Sequence, residues 1–275
     1  MFGSTVLEVA IGMTFCYGFV GLLVTTLQEA LASALRLRAR SLLSGVKAML
    51  NDYAFTGLAR ALYAHLLVNP RDDGSATDPH TLATKPSYIA PQHFAIALVD
   101  ILQTAPGDFA QLGRDIDALP DPQLRAVLQS LYQRADGELA AFQRCAAQWF
   151  DQTMERVSGA YKRRAVAISM AISLLIAVLF NIDSVQLFKA LWQHPALAAQ
   201  IAAAPASLDA DALATLYRLP VGWDAFPPRL DRALAGHAAG WLLTAASSLF
   251  GAPFWFDLLQ RLVNMRGTGD KPRGA

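Results

Sequence analysis

The chain has 275 residues, a formal net charge of +1, 54% hydrophobic and 16% charged side chains, and a mean hydropathy of +0.30. Soluble domains carry roughly a quarter charged residues, so this balance points to a membrane protein, and a charge near zero excludes the broad basic field of a nucleic-acid binder. The two cysteines, Cys16 and Cys145, belong to no CxxC or Cys/His cluster and read as inert thiols, which leaves no sequence case for a disulfide or a structural zinc.

Residues 9–27, VAIGMTFCYGFVGLLVTTL, form the first spanning candidate within an N-terminal element 1–35. An apolar helix of about 20 residues matches a hydrocarbon core of about 30 Å. No Lys or Arg precedes Arg36, so the basic n-region of a cleaved signal peptide is missing and the segment reads as an uncleaved anchor. Arg36, Arg38, Arg40 and Lys47 follow it, which places its C-terminal side in the cytosol and its N-terminus outside.

Residues 36–164 read as a cytosolic helical domain. Apolar residues three and four apart predict helices over 41–52 and 53–68, followed by a Pro, Gly, Asp and Ser-rich interval over 69–88 that reads as an exposed loop. Pro91 is suited to the first turn of a helix through Gln103, and a short helix is expected over 109–119. From Gln123 the pattern is helical with Gly137 as the one breaker, and it continues through Lys162, Arg163 and Arg164 into the apolar run AVAISMAISLLIAVLFNI, residues 165–182. That run is the second spanning candidate, with its cytosolic foot at the three basic residues.

Residues 183–235 contain few positive charges and are expected outside as a helical periplasmic segment: a helix at LFKALW, another over 196–204, a third over 209–219, and a proline-rich return over 219–228. The third spanning candidate is 236–257. Gly236, Gly240, Thr244, Ser248 and Ala252 recur every fourth residue and make a small-residue stripe of the kind that lets helices approach closely in lipid. Pro253 removes a backbone donor there, and Phe254, Trp255 and Phe256 suit an aromatic belt at the headgroups. Arg261 and Arg266 put residues 258–275, an amphipathic turn and a polar tail, in the cytosol. The expected fold is therefore all-α, with three transmembrane helices, a cytosolic domain between the first and second, and a smaller periplasmic segment between the second and third.

Lys85-Pro86-Ser87-Tyr88-Ile89, then Trp149-Phe150-Asp151 with Tyr161-Lys162-Arg163, then Gly251-Ala252-Pro253-Phe254-Trp255-Phe256-Asp257 resemble a widespread family of uncharacterised bacterial integral membrane proteins. The resemblance implies a bacterial inner membrane and carries no activity, cofactor or catalytic residue.

His65, His80 and His93 with Asp100 invite a metal hypothesis, but their spacing fits no zincin or finger pattern. No GxSxG, SxxK, HExxH or phosphate-binding glycine loop is present, and Ser247 and Ser248 read as packing residues. The ionisable residues Glu8, Glu29, Asp183 and Asp257 read as lying near span ends, which argues against a transporter. The sequence thus predicts a non-enzymatic, cofactor-free, metal-free inner-membrane anchor or docking scaffold. Its partners are the bilayer and proteins bound by the cytosolic domain, with no nucleic acid. The rival expectation is a homo-oligomeric pore or membrane-perturbing effector, lined by hydroxyls such as Thr14, Thr25, Thr26, Ser169 and Ser173 and gated by the cytosolic domain.

Overall fold

The computed structural model describes residues 2–71, 74, 78–82, 84–193, 221–223 and 232–267. The helices expected over 196–204 and 209–219, most of the return over 219–228, His194 and the tail beyond Gly267 lie outside the described residues. Among the described residues the protein is all-helical, with ten helices and no strand. These are α1 (Phe2–Ala34), α2 (Leu37–Met49), α3 (Leu58–Ala64), α4 (Pro91–Leu102), α5 (Phe109–Asp117), α6 (Pro122–Arg134), α7 (Leu139–Leu179), α8 (Ser184–Gln193), α9 (Arg232–Ser248) and α10 (Ala252–Gly267). The chain divides into two compact units, Ala32–Arg163 and the pair of segments Met1–Leu31 and Arg164–Ala275.

The unit Ala32–Arg163 is built like a water-soluble helical domain. Arg36 adopts a left-handed conformation (φ 49°) that ends α1 and lets α2 start at Leu37. Leu43 and Val46 of α2 and its C-cap Leu50 join Leu62 and Tyr63 of α3, Phe94 and Leu98 of α4, Leu112 and Ile116 of α5, Leu128 of α6, and Phe142 and Phe150 of α7 in one continuous core. Each fully buried Leu or Phe contributes about 1.5–3 kcal/mol. Phe94 stacks on Phe150 at 4.3 Å, and Gly45 lets α2 approach Val157 and Met154 of α7.

Its helix starts follow local chemistry. Asp108 caps α5 by accepting from Gln111 N–H (2.9 Å), and Asp121 caps α6 by accepting from Leu124 N–H (2.6 Å). Pro91 and Pro122 occupy first turns, where no donor is needed. The Leu124 N–H and the Asn51 amide, both donating to Asp121, hold its carboxyl below the usual carboxylate range. The breaker at Gly137 (φ 87°) separates α6 from α7, which runs unbroken for 41 residues through Ser158, Gly159 and the basic triplet.

The other unit combines apolar packing with buried polar groups and an apolar exterior. Val9 and Cys16 of α1 pack with Leu187 and Leu191 of α8, while Val20 and Val24 pack with Ile172, Ile176 and Ile182. Large apolar side chains face outward in the same unit, among them Leu22, Leu175, Phe180, Leu242, Phe250 and Phe254, each 46–65% exposed. Beside those apolar clusters Thr14, Ser169, Ser173, Asp183, Ser184, Thr244 and Ser248 are also buried, all at 9% exposure or less.

Among the described residues one helix, Thr5–Ala34, is long and apolar enough to cross a membrane, or up to three candidates if each of two bent helix pairs is counted as one. The pair α7 and α8 turns by 53°, at Asn181 (φ 46°). The pair α9 and α10 turns by 93°, which corrects the expectation of a single rod over 236–257. The break falls at residues 249–251, where Gly251 takes φ 80°, and Pro253 then sits in the first turn of α10, where its missing N–H costs nothing.

Candidate functional site

The most structured polar site lies inside the apolar unit, where α8 leaves the first break and packs on α9. Asp183, 2% exposed, caps α8: its Oδ1 accepts from Val185 N–H (2.8 Å) and Gln186 N–H (3.1 Å). Its Oδ2 lies 3.0 Å from Nδ1 of His237, one turn before Gly240 on α9. Gly240 is required here, because a Cβ at that position would overlap the Asp183 carboxylate. The His237 ring stacks on Trp241 (5.5 Å, 18°), whose Nε1–H donates to Asn181 Oδ1 (3.1 Å) in the break itself.

One turn further in, proton counting gives the hydroxyls a direction. Thr244 donates to the Ile182 carbonyl (2.7 Å) or, bifurcated, to that of Gly240 (3.0 Å), so Ser184 must donate to Thr244 (2.7 Å) and Tyr17 to Ser184 (3.0 Å). The chain runs Tyr17, Ser184, Thr244, Ile182 carbonyl, drawing α1, α8 and α9 together through bonds that reinforce one another in an apolar medium. A second turn along, Ser248 donates to the Ala245 carbonyl (2.8 Å), which leaves Ser173 of α7 to donate to Ser248. Ser169 bonds Gln28 of α1 one turn away on α7. Together these contacts form a polar seam that steps turn by turn through the unit.

Among the described residues no hydroxyl is hydrogen-bonded to a ring nitrogen of His237, whose partners are Asp183 and Gln186. The seam therefore lacks a nucleophile aligned with a base. What it does chemically is satisfy the backbone and side-chain polarity that two helix breaks expose inside an apolar unit.

The small-residue stripe is divided by this geometry. Gly240, Thr244 and Ser248 are buried and meet Asp183, Ile182 with Ser184, and Ser173 respectively, while Gly236 faces open space. Ala252, across the break on α10, presents its backbone to Gly21 of α1. In the aromatic triplet, Phe254 and Phe256 are 46% and 40% exposed, and Trp255 turns inward to donate Nε1–H to the Ser247 carbonyl (2.8 Å) that the break freed. Arg36, Arg38, Arg40, Lys162, Arg163, Arg164 and Arg261 are exposed, and Arg266 belongs to the last turn of α10.

His65 Nε2 lies 3.4 Å from Asp100 Oδ2, while His80 belongs to a turn in which its N–H donates to Asp78. Among the described residues no three His, Cys, Asp or Glu side chains are grouped to hold a metal ion. Sequence reasoning assigned Asp183 to a span end, and it missed Tyr17 and Ser184 altogether. The available signal was Asn181 to Ser184 directly after an apolar run, a helix stop followed by a capping residue.

No protein-family model matches the chain, and neither the curated proteins nor the solved structures searched contain a match.

Proposed function

We propose that the protein is a multi-pass integral membrane protein of a bacterial inner membrane, whose unit Ala32–Arg163 is a cytosolic, non-enzymatic docking module for other proteins. The observation that carries this reading is the polarity pattern of the helical unit around α8 and α9: large apolar side chains outside, a fully bonded polar seam inside. Contiguous exposed apolar surface of this kind is unstable in water and natural in hydrocarbon. The bent pairs α7 with α8 and α9 with α10 serve as the second and third spans. Basic residues at Arg36 to Arg40, Lys162 to Arg164 and Arg261 to Arg266 favour an outside N-terminus and a cytosolic C-terminus. The resemblance carried by the KPSYI, WFD and GAPFWFD segments agrees with a membrane location. In Ala32–Arg163 the ordinary soluble-type core and a groove of about 650 Å³ lined by residues such as Leu42, Tyr88, Phe150, Asp151 and Glu155 support a docking role.

Alkaline carbonate treatment of native membranes should leave the protein in the pellet, and crosslinking from intact cells should trap protein partners on Ala32–Arg163. Release by carbonate removes the membrane assignment. Retention with no crosslinked partner at native expression removes the docking role.

A further inference from the structure

Helix α10 turns by 93° from α9 and divides lengthwise into strips of different polarity. Gln260, Asn264, Asp257 and Arg261 are all exposed, and at 3.6 residues per turn they fall within an arc of about 100°. Phe254 and Met265 border that arc on one side, Phe256 and Val263 on the other, each 37–57% exposed. Opposite the arc stand Ala252, Trp255, Leu258, Leu259 and Leu262, buried or half-buried. The polar strip therefore points away from the protein and has an exposed apolar strip along each edge. A helix patterned in this way settles at a membrane surface, its apolar strips among the lipid chains and its polar strip in water.

The start of α10 is fixed in place and in depth. Gly18 of α1 sits against Trp255 and Phe256, and Gly21 against the backbone of Gly251 and Ala252. The Trp255 ring packs on Tyr17 at 4.8 Å, and its Nε1–H donates to the Ser247 carbonyl (2.8 Å). Along α1, Gly21 is separated from exposed Glu29 by about 12 Å of helix. Along α7, Ser173, bonded to Ser248 just before the break, is separated from exposed Arg164 by about 14 Å. Headgroup layers are about 5–7 Å thick on each side of the bilayer. With Glu29 and Arg164 in that layer, α10 lies about 5–9 Å inside the hydrocarbon edge, the depth at which in-plane helices rest. The length of α9 agrees: its 17 residues make about 25 Å of helix, about 5 Å short of the hydrocarbon core.

We propose that α10 is an in-plane helix that binds the cytosolic leaflet of the bilayer, with its two apolar edges among the acyl chains and the strip of Asp257, Gln260, Arg261 and Asn264 turned to water. The proposal rests on the membrane reading above, in which α9 makes the third crossing and α10 closes its cytosolic end.

The test uses the full-length protein in a cysteine-free background, Cys16→Ala with Cys145→Ser, reconstituted in liposomes of phosphatidylethanolamine and phosphatidylglycerol. One spin label at a time is introduced through Phe254→Cys, Asp257→Cys, Arg261→Cys, Asn264→Cys or Met265→Cys. Accessibility to a polar nickel complex should be high at 257, 261 and 264 and low at 254 and 265, with oxygen accessibility in the opposite phase. Positions 254 and 265, near the two ends of the helix, should report the same depth. A steady change of depth from 254 to 265 overturns the proposal, since α10 would then run through the bilayer. High nickel accessibility at all five positions overturns it too, by placing the helix in water. Labels at 175 and 242 in the same vesicles tell the two failures apart: low nickel accessibility there leaves the membrane reading standing and removes this helix from the surface, whereas high accessibility there removes the membrane reading itself. Near-UV circular dichroism of each labelled protein confirms that it folds as the wild type does.

Discussion

The Tyr63 hydroxyl lies in the centre of Ala32–Arg163 with no hydrogen-bond partner among the described residues, although the ring packs fully buried against Phe55 at 6.0 Å. Burial pushes the phenol's pKa well up, so the group is neutral at any working pH, and a neutral hydroxyl without a partner still loses its water. Removing the oxygen keeps the ring contacts and removes that loss. Tyr63→Phe should therefore stabilise the protein, by about 1 kcal/mol. Urea titration in detergent, following the loss of helical circular dichroism, reads the change. A lower midpoint in the variant would mean that the hydroxyl has a partner, such as a water, and that the phenol is there to hold it.

At the scale of elements, the two helix breaks decide how the small-residue stripe is used. A repeat of Gly236, Gly240, Thr244 and Ser248 suggests one uniform surface, yet the structure gives two of its glycines opposite environments. Gly240 touches the Asp183 carboxylate that caps α8, whereas Gly236 has open space around it. Gly236→Ala should then be neutral or stabilising by about 0.5–1 kcal/mol, the ordinary gain of alanine over glycine within a helix. Gly240→Ala should cost at least about 1–3 kcal/mol, the range for overpacking a filled site. The near-UV dichroism of Trp241, which stacks on His237, reports the second change directly. If Gly240→Ala left that signal and the stability intact but abolished an oligomer, the stripe would be a surface between copies, and the pore reading would gain what the docking reading loses.

The same comparison shows what the sequence could and could not carry. Helix identity was legible where apolar spacing coincided with Pro91 or Gly137, which mark a start and a stop in the structure, whereas the caps Asp108 and Asp121 were not singled out. Break positions were less legible. Pro253 looked like the interruption in 236–257, but a proline in the first turn of a helix is harmless, and the left-handed Gly251 before it makes the turn. The seam was hidden because its members are far apart in the chain. Tyr17 meets Ser184 across 167 positions and Ser184 meets Thr244 across 60, so no local pattern could have paired them.

For the whole molecule, the decisive contrast is between two ways of arranging apolar surface. Ala32–Arg163 gathers Phe94, Leu112, Ile116, Leu128 and Phe142 into a core that water does not reach. The unit containing α8 and α9 instead turns Leu22, Leu175 and Leu242 outward, at 46%, 55% and 50% exposure, and keeps serines, Thr244 and Asp183 within. In water that unit would expose large apolar side chains on several helices while burying groups that prefer solvent. In lipid both choices are favourable, because the outer surface meets hydrocarbon and every buried hydroxyl needs a protein partner. A spin label at position 22, 175 or 242, placed in a cysteine-free background with Cys16→Ala and Cys145→Ser and reconstituted in liposomes, should collide freely with oxygen and poorly with a polar nickel complex. Val127 of Ala32–Arg163, 37% exposed, should show the opposite preference in the same vesicles. Nickel accessibility at 175 and 242 equal to that at 127 would place those helices in water, and the exposed leucines would then have to be the contact surface of an assembly instead of the face turned to lipid.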